Sequence, residues 1–257
     1  MKQISIKKLV TVSFSTVLIM AFSFCAQAEF INDKNTGWPS EGGYWYSHYE
    51  QNKDDDAWMS TNDYSESKVN FTVDANNVVS GRGWKTGKRN RTIHFGISDY
   101  QPWWWDQKIV FAAYGWTRQN PAANNHHRNI VEYYVIENNN GWKPEHQGTD
   151  GNGATEINAK WVDGEWYKYY VSTRENQPHA YERWEGDVTT FKQYWAVRQS
   201  SRNSGSINMK KHFDHWNNPW WAQRNNKYPY TNQWGYQIFM VESYQVGGSV
   251  KLNSWSQ

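Results

Sequence analysis

Two glutamates, Glu132 and Glu242, stand in apolar, tyrosine-rich runs, a setting that suits carboxylates to acid–base and nucleophilic work. If Ile130–Glu137 is a strand, Glu132, Tyr134 and Ile136 point to one side, and Val131, Tyr133, Val135 and Glu137 to the other. By the same alternation the run Tyr236–Tyr244 places Tyr236, Glu242 and Tyr244 on a single face. A carboxylate among such neighbours is short of water, so its pKa rises, and a second carboxylate nearby drives the two values apart. One acid then keeps its proton as a donor while the other stays ionised as a nucleophile. Spacing alone leaves open that each glutamate is an ordinary charge on a solvated sheet face, because structural networks perturb carboxylates too.

The elements that must hold this pair are strands. Period-2 alternation and turn signals run through most of the chain. Trp161-Val162 and Glu165–Ser172 flank Asp163-Gly164, a dipeptide suited to a tight hairpin turn with positive φ. Asn138-Asn139-Asn140-Gly141 and Asp150-Gly151-Asn152-Gly153 punctuate further strand-like runs, so meanders and antiparallel sheets are expected. One stretch breaks the pattern. In Asn208–Asn217, Met209, Phe213 and Trp216 form one apolar stripe of a short helix, predicted to pack on the outside of a sheet. His212 and His215 flank Asp214 in that stretch, but no third ligand stands at zinc-like spacing, so neither a metal nor another cofactor is expected. Internal repeats and low-complexity tracts are absent.

Residues 1–28 read as a secretory signal peptide. Lys2, Lys7 and Lys8 make a positive start, Leu9–Phe24 is largely apolar, and Ala26-Gln27-Ala28 offers a small-residue cleavage site. The apolar run is too short for a spanning helix, and the chain's single cysteine, Cys25, lies in the segment to be removed. The product is expected to be secreted, extracellular or periplasmic, without disulfides or a membrane anchor. Residues 29–257 suit one all-β catalytic domain, since no Pro/Ser-rich linker divides them. Without the leader's three lysines, basic and acidic side chains nearly balance, which removes any electrostatic case for nucleic acid or an anionic membrane. The chain carries 18 tryptophans and 17 tyrosines at a mean hydropathy of −0.97. So polar a chain does not need all of those rings in a core. Some should be exposed, where flat rings offer surfaces for the apolar faces of sugars. No feature calls for an oligomer, and a monomer is expected.

Several motifs, in order, resemble the family 11 glycoside hydrolases, the endo-1,4-β-xylanases. They are Tyr114-Gly115-Trp116-Thr117-Arg118, then Ile130–Glu137, then Phe191–Gln199, then Tyr236-Gln237 leading to Val241-Glu242-Ser243-Tyr244 and Gly247-Gly248-Ser249. Gly81-Arg82-Gly83-Trp84, Arg91–Phe95 and His212–Trp216 add to the likeness, which spans about Gly43 to Trp255. The resemblance implies a β-jelly roll of two twisted antiparallel sheets with one short helix, and a cleft that takes xylan or a related plant cell-wall polysaccharide. It implies Glu132 as the nucleophile and Glu242 as the general acid/base of a retaining mechanism. Tyr49, Asn77, Tyr114, Tyr134, Arg174, Gln193, Trp195 and Tyr236 match cleft residues that position the sugar and the nucleophile, with Asn77 beside the acid/base.

The departures bear on subsites rather than on chemistry. Pro178–Gly186 matches the family's thumb hairpin loosely, and Tyr49 stands where the family often has a tryptophan. Gln119–Asn129 resembles an insertion. Asn217–Trp234 is long and carries Trp220, Trp221 and Tyr228, and Trp103-Trp104-Trp105 is unexpected. Two rival readings remain: a non-catalytic carbohydrate-binding jelly roll, and a β-glucanase on a related sandwich, between which fold alone cannot choose.

Overall fold

The computed structural model describes residues 29–32, 35–39, 43–52, 56–61, 64–102, 108–118, 130–144, 153–180, 188–218 and 230–256. Residues 1–28, Trp103-Trp104-Trp105, Gln119–Asn129, Asp150–Asn152, Tyr181–Gly186 and the trio Trp220, Trp221 and Tyr228 lie outside them.

The alternating runs form the strands β1 (Glu29–Asn32), β2 (Asn35–Gly37), β3 (Trp45–Glu50), β4 (Ala57–Thr61), β5 (Glu66–Phe71), β6 (Asn77–Trp84) and β7 (Thr92–Pro102). There follow β8 (Ile109–Arg118), β9 (Ile130–Asn138), β10 (Thr155–Val162), β11 (Glu165–Pro178), β12 (Val188–Arg198) and β13 (Ser204–Asn208). The helix α1 (Met209–Trp216) precedes β14 (Tyr230–Tyr244) and β15 (Gly248–Trp255). One sheet has the order β1-β4-β5-β15-β7-β13, the other β10-β11-β12-β9-β8-β14-β6-β3-β2. This is the two-sheet, single-helix jelly roll that the motifs imply.

Among the described residues the pairings are antiparallel with one exception, β9 beside β12, which run parallel with Glu132 opposite Gln193 and Tyr134 opposite Trp195. The meander reading missed this because β10–β11–β12 is itself a hairpin series whose last strand returns to β9, a pairing that no local turn encodes. Asp163 (φ 49) and Gly164 (φ 87) close the predicted β10–β11 hairpin with both turn residues left-handed. At Gly115 on β8, an added Cβ would lie 2.3 Å from the Tyr236 carbonyl oxygen and 2.4 Å from the Tyr133 hydroxyl, so only glycine fits between β9 and β14.

Strand alternation sorts the long sheet into two faces. Val131, Tyr133 and Val135 of β9 and Phe239 and Val241 of β14 join the core shared with Val69, Phe71, Phe95 and Val250 of the shorter sheet. The opposite, open face carries Tyr114, Tyr134, Ile136, Trp195, Tyr236, Ile238 and Met240 in a second cluster. The helix forms on the predicted residues, but it packs on the core-side face of the long sheet rather than on its outside, because its apolar stripe joins the main core, Phe213 against Tyr133 (4.9 Å between ring centroids) and His215 against Tyr169 (4.2 Å). His212 Nδ1 lies 3.0 Å from the Tyr169 hydroxyl, and His215 Nε2 lies 2.8 Å from Asn158 Oδ1. Burial lowers these imidazoles to about 3 and about 4, so both are neutral bracing groups. Asp214 is engaged by Arg89 and Lys210.

Candidate active site

Glu132 is 6% exposed, at the middle of the open face of β9. Three donors converge on its carboxylate. The Tyr114 hydroxyl donates to Oε1 over 2.6 Å, the Tyr134 hydroxyl donates to the same oxygen over 3.0 Å, and Gln193 Nε2 donates to Oε2 over 2.7 Å. Each donor comes from a strand beside Glu132 or from Glu132's own: Tyr114 from β8, Gln193 from β12 in direct register, and Tyr134 two residues along β9. Burial pushes the carboxyl up, while the Tyr114 and Gln193 hydrogen bonds, the Arg174 charge and the Tyr134 hydrogen bond oppose it. Acceptor-only geometry of this kind is satisfied by an ionised carboxylate.

Glu242 lies on β14, across β8 from Glu132. It receives one long contact, from Asn77 Nδ2 at 3.4 Å. Burial first, and the negative charge of Glu132 second, push its carboxyl up to about 7. The two glutamates thus differ in the way that acid–base work requires: three donors favour the ionised form of one against its burial, and the other is poised to hold a proton near neutrality.

The remaining residues singled out from the sequence surround this pair. Arg174 on β11 acts electrostatically on both glutamates, and its Nη2 donates to Gln177 Oε1 over 3.2 Å. Tyr49 on β3 is partly exposed; burial and the Glu242 charge raise its phenol, and Arg174 opposes. Tyr236 accepts a hydrogen bond from Trp116 Nε1 over 3.3 Å, and its ring centroid lies 5.8 Å from that of Tyr114. Trp195 is stacked on Tyr134, ring centroids 3.9 Å apart and planes at 15°. It is buried, so its ring holds Tyr134 in place rather than offering a free face.

Sequence reasoning missed a second layer. Ser172 Oγ donates to Gln193 Oε1 over 2.9 Å and receives the Trp195 indole N–H over 3.0 Å, which fixes the amide so that its NH₂ faces Glu132. Trp116, Trp45 and Phe191 complete the floor; Trp45 lies 5.0 Å from Tyr236 and Phe191 5.2 Å from Trp116. The signal was present in the alternation, since Ser172 lies two residues before Arg174 and Trp116 two after Tyr114. Glu137, by contrast, is fully buried on the other face, where it accepts from the Tyr167 hydroxyl over 2.6 Å and pairs with Arg202 Nε at 2.5 Å. A buried carboxylate with its own cation is structural. Among the described residues no group of three His, Cys, Asp or Glu side chains could hold a metal ion. No helix among them is long and apolar enough to cross a membrane.

The profile of Glycosyl hydrolases family 11 matches residues 41–253. Endo-1,4-beta-xylanase 3 of Pyricularia oryzae is 32% identical over 213 residues, covering 83% of this chain and 77% of that protein. Endo-1,4-beta-xylanase B of Gibberella zeae is 38% identical over 184 residues, 72% of this chain and 67% of that protein. Ethylene-inducing xylanase 1 of Verticillium dahliae is 32% identical over 213 residues, 83% of this chain and 80% of that protein.

Proposed function

The chain belongs to glycosyl hydrolases family 11, and from that premise we propose that it is a secreted endo-1,4-β-xylanase that cuts the xylan backbone with retention of anomeric configuration. The observation that carries the reading is the asymmetry of the two carboxyl groups, three donors on Glu132 against a raised pKa at Glu242.

In the first step a Glu132 oxygen attacks the anomeric carbon while the glycosidic C–O bond breaks. Glu242 gives its proton to the departing sugar oxygen. The glycosyl-enzyme is then resolved by water, which loses a proton to Glu242 and attacks the same carbon, freeing Glu132. Direct attack of this kind calls for two carboxyl groups about 5–5.5 Å apart, closer than the pair of an inverting enzyme, which holds a water between them. Tyr114, Tyr134 and Gln193 orient the nucleophile, Trp195 holds Tyr134 from behind, Asn77 holds Glu242, and Arg174, Tyr49 and Tyr236 form the walls and floor for the sugar. Residues 1–28 act as the export leader, and 29–257 work as one domain and as a monomer.

The test is reducing-sugar release from xylan, carboxymethylcellulose and mixed-linkage glucan side by side, with Glu132→Ala and Glu242→Ala assayed on xylan and on an activated aryl xylobioside. Xylan is expected to be the substrate. Glu242→Ala should lose xylan cleavage yet form the glycosyl-enzyme from the aryl substrate as a burst, because a phenolate leaves without a proton. Glu132→Ala should lose both. Activity confined to the glucans would reject the substrate, and equal losses in both variants on both substrates would reject the roles.

A further inference from the structure

The rings that touch the catalytic pair are buried, so the surplus of tryptophan is not spent there. Trp161 (55% exposed) and Trp166 (49%) are elsewhere, facing each other across the β10–β11 hairpin. Their ring centroids are 5.7 Å apart, with planes at 77°. Their strand neighbours Val162 and Tyr167 point into the core, so alternation puts both tryptophans on the open face, in line along β11 with Tyr170, Ser172 and Arg174. Trp142, itself partly exposed, lies 5.6 Å from Trp195 of the catalytic floor.

The hairpin is held rather than loose. Its turn residue Asp163 is paired with Lys211 of α1, Glu165 lies 3.7 Å from Arg198, and the Trp166 amide donates to Glu165 Oε1 over 2.7 Å. Six residues of strand separate Trp166 from Ser172, about 20 Å of extended chain. That is several sugar units beyond the bond to be cut. Cross-strand tryptophans also stabilise hairpins, but stability alone does not require that half of each ring face water.

We propose that Trp161 and Trp166 form a distal docking ledge for the polysaccharide chain as it leaves the cleft, selective for xylan over cellulose. The ledge rests on the function proposed above for its occupant. Continuity of the open face identifies that occupant, because the same strand, β11, carries the ledge at one end and Ser172 and Arg174 toward the other. Two rings set nearly at right angles suit a twisted chain, whose successive sugar faces point in different directions. A flat ribbon such as cellulose would present both of its faces in one plane and could stack on one ring only.

The test uses the mature protein carrying Glu132→Ala, so that the probe is not digested, in affinity electrophoresis through gels containing soluble xylan or hydroxyethylcellulose. Trp161→Val with Trp166→Val keeps strand-forming residues and removes both rings; it is expected to weaken retardation by xylan roughly ten-fold. Trp161→Tyr with Trp166→Tyr should restore most of it, and hydroxyethylcellulose should retard none of the three. Matching thermal midpoints confirm folding, and the single Trp161→Val variant replaces the pair if they differ. Equal retardation with and without the rings, or no retardation of the parent by xylan, overturns the ledge. A parent that bound xylan through these rings but cleaved only glucans in the earlier assay would instead overturn the proposed substrate.

Discussion

Replacing Glu242 with glutamine should stabilise the protein, and only at high pH. The carboxyl is pushed from an ordinary value of 4.5 to about 7 by burial and by the charge of Glu132. A folded-state value above the unfolded one means that the folded state binds the proton more tightly, so the contribution is fully favourable below about 4.5 and is lost as pH rises through 7. At about 1.4 kcal/mol per unit, the ionised group weakens the fold by up to ~3 kcal/mol at alkaline pH, an upper bound because Glu242 is partly exposed. Glutamine is neutral, keeps the shape and can still accept from Asn77. Urea unfolding at pH 4 and pH 8.5, with wild type and Glu242→Gln showing equal m-values, should give a difference near zero at the lower pH and ~2–3 kcal/mol in favour of the variant at the higher. A difference independent of pH, or a variant less stable at pH 8.5, would refute the argument that burial and Glu132 hold the proton on Glu242.

Tyr114→Phe removes the shortest bond to Glu132, so this proposed nucleophile should ionise later and the acid limb of kcat/KM should move up by roughly one unit; an unmoved limb would show that Tyr134 and Gln193 suffice. Asn77→Asp sets a second carboxyl against Glu242, and such a pair gives up its first proton at lower pH than Glu242 alone. If donation needs both protons in place, the alkaline limb and the optimum should fall by about one unit, and an unchanged profile would separate position 77 from the acid/base.

Much of the site was legible because the open face obeys a period of two. Glu132 with Tyr134, Gln193 with Trp195 and Glu242 with Tyr236 were placed together by parity, and the motifs supplied which strands meet. The helix and the Asp163-Gly164 turn were legible from local chemistry. The β9–β12 parallel pairing was not, because its partners lie about sixty residues apart with a hairpin series between them. Parity put Glu137 on the face opposite Glu132, but it could not say what a buried glutamate does there. Only the Arg202 contact, supplied from another segment, makes it structural. Ser172 escaped because a hydroxyl acting on an amide leaves no mark in composition.

The order of strands also governs when the molecule can come into being. The last strand, β15, sits between β5 and β7, and β14, which carries Glu242, sits between β8 and β6. Both sheets are therefore gapped in the middle until the final thirty or so residues of the chain are available. A partly synthesised chain has no closed core on which to settle, and pairings of such long sequence separation form slowly. Chains cut before β14 are accordingly expected to stay open to protease, since neither sheet can close without its central strand.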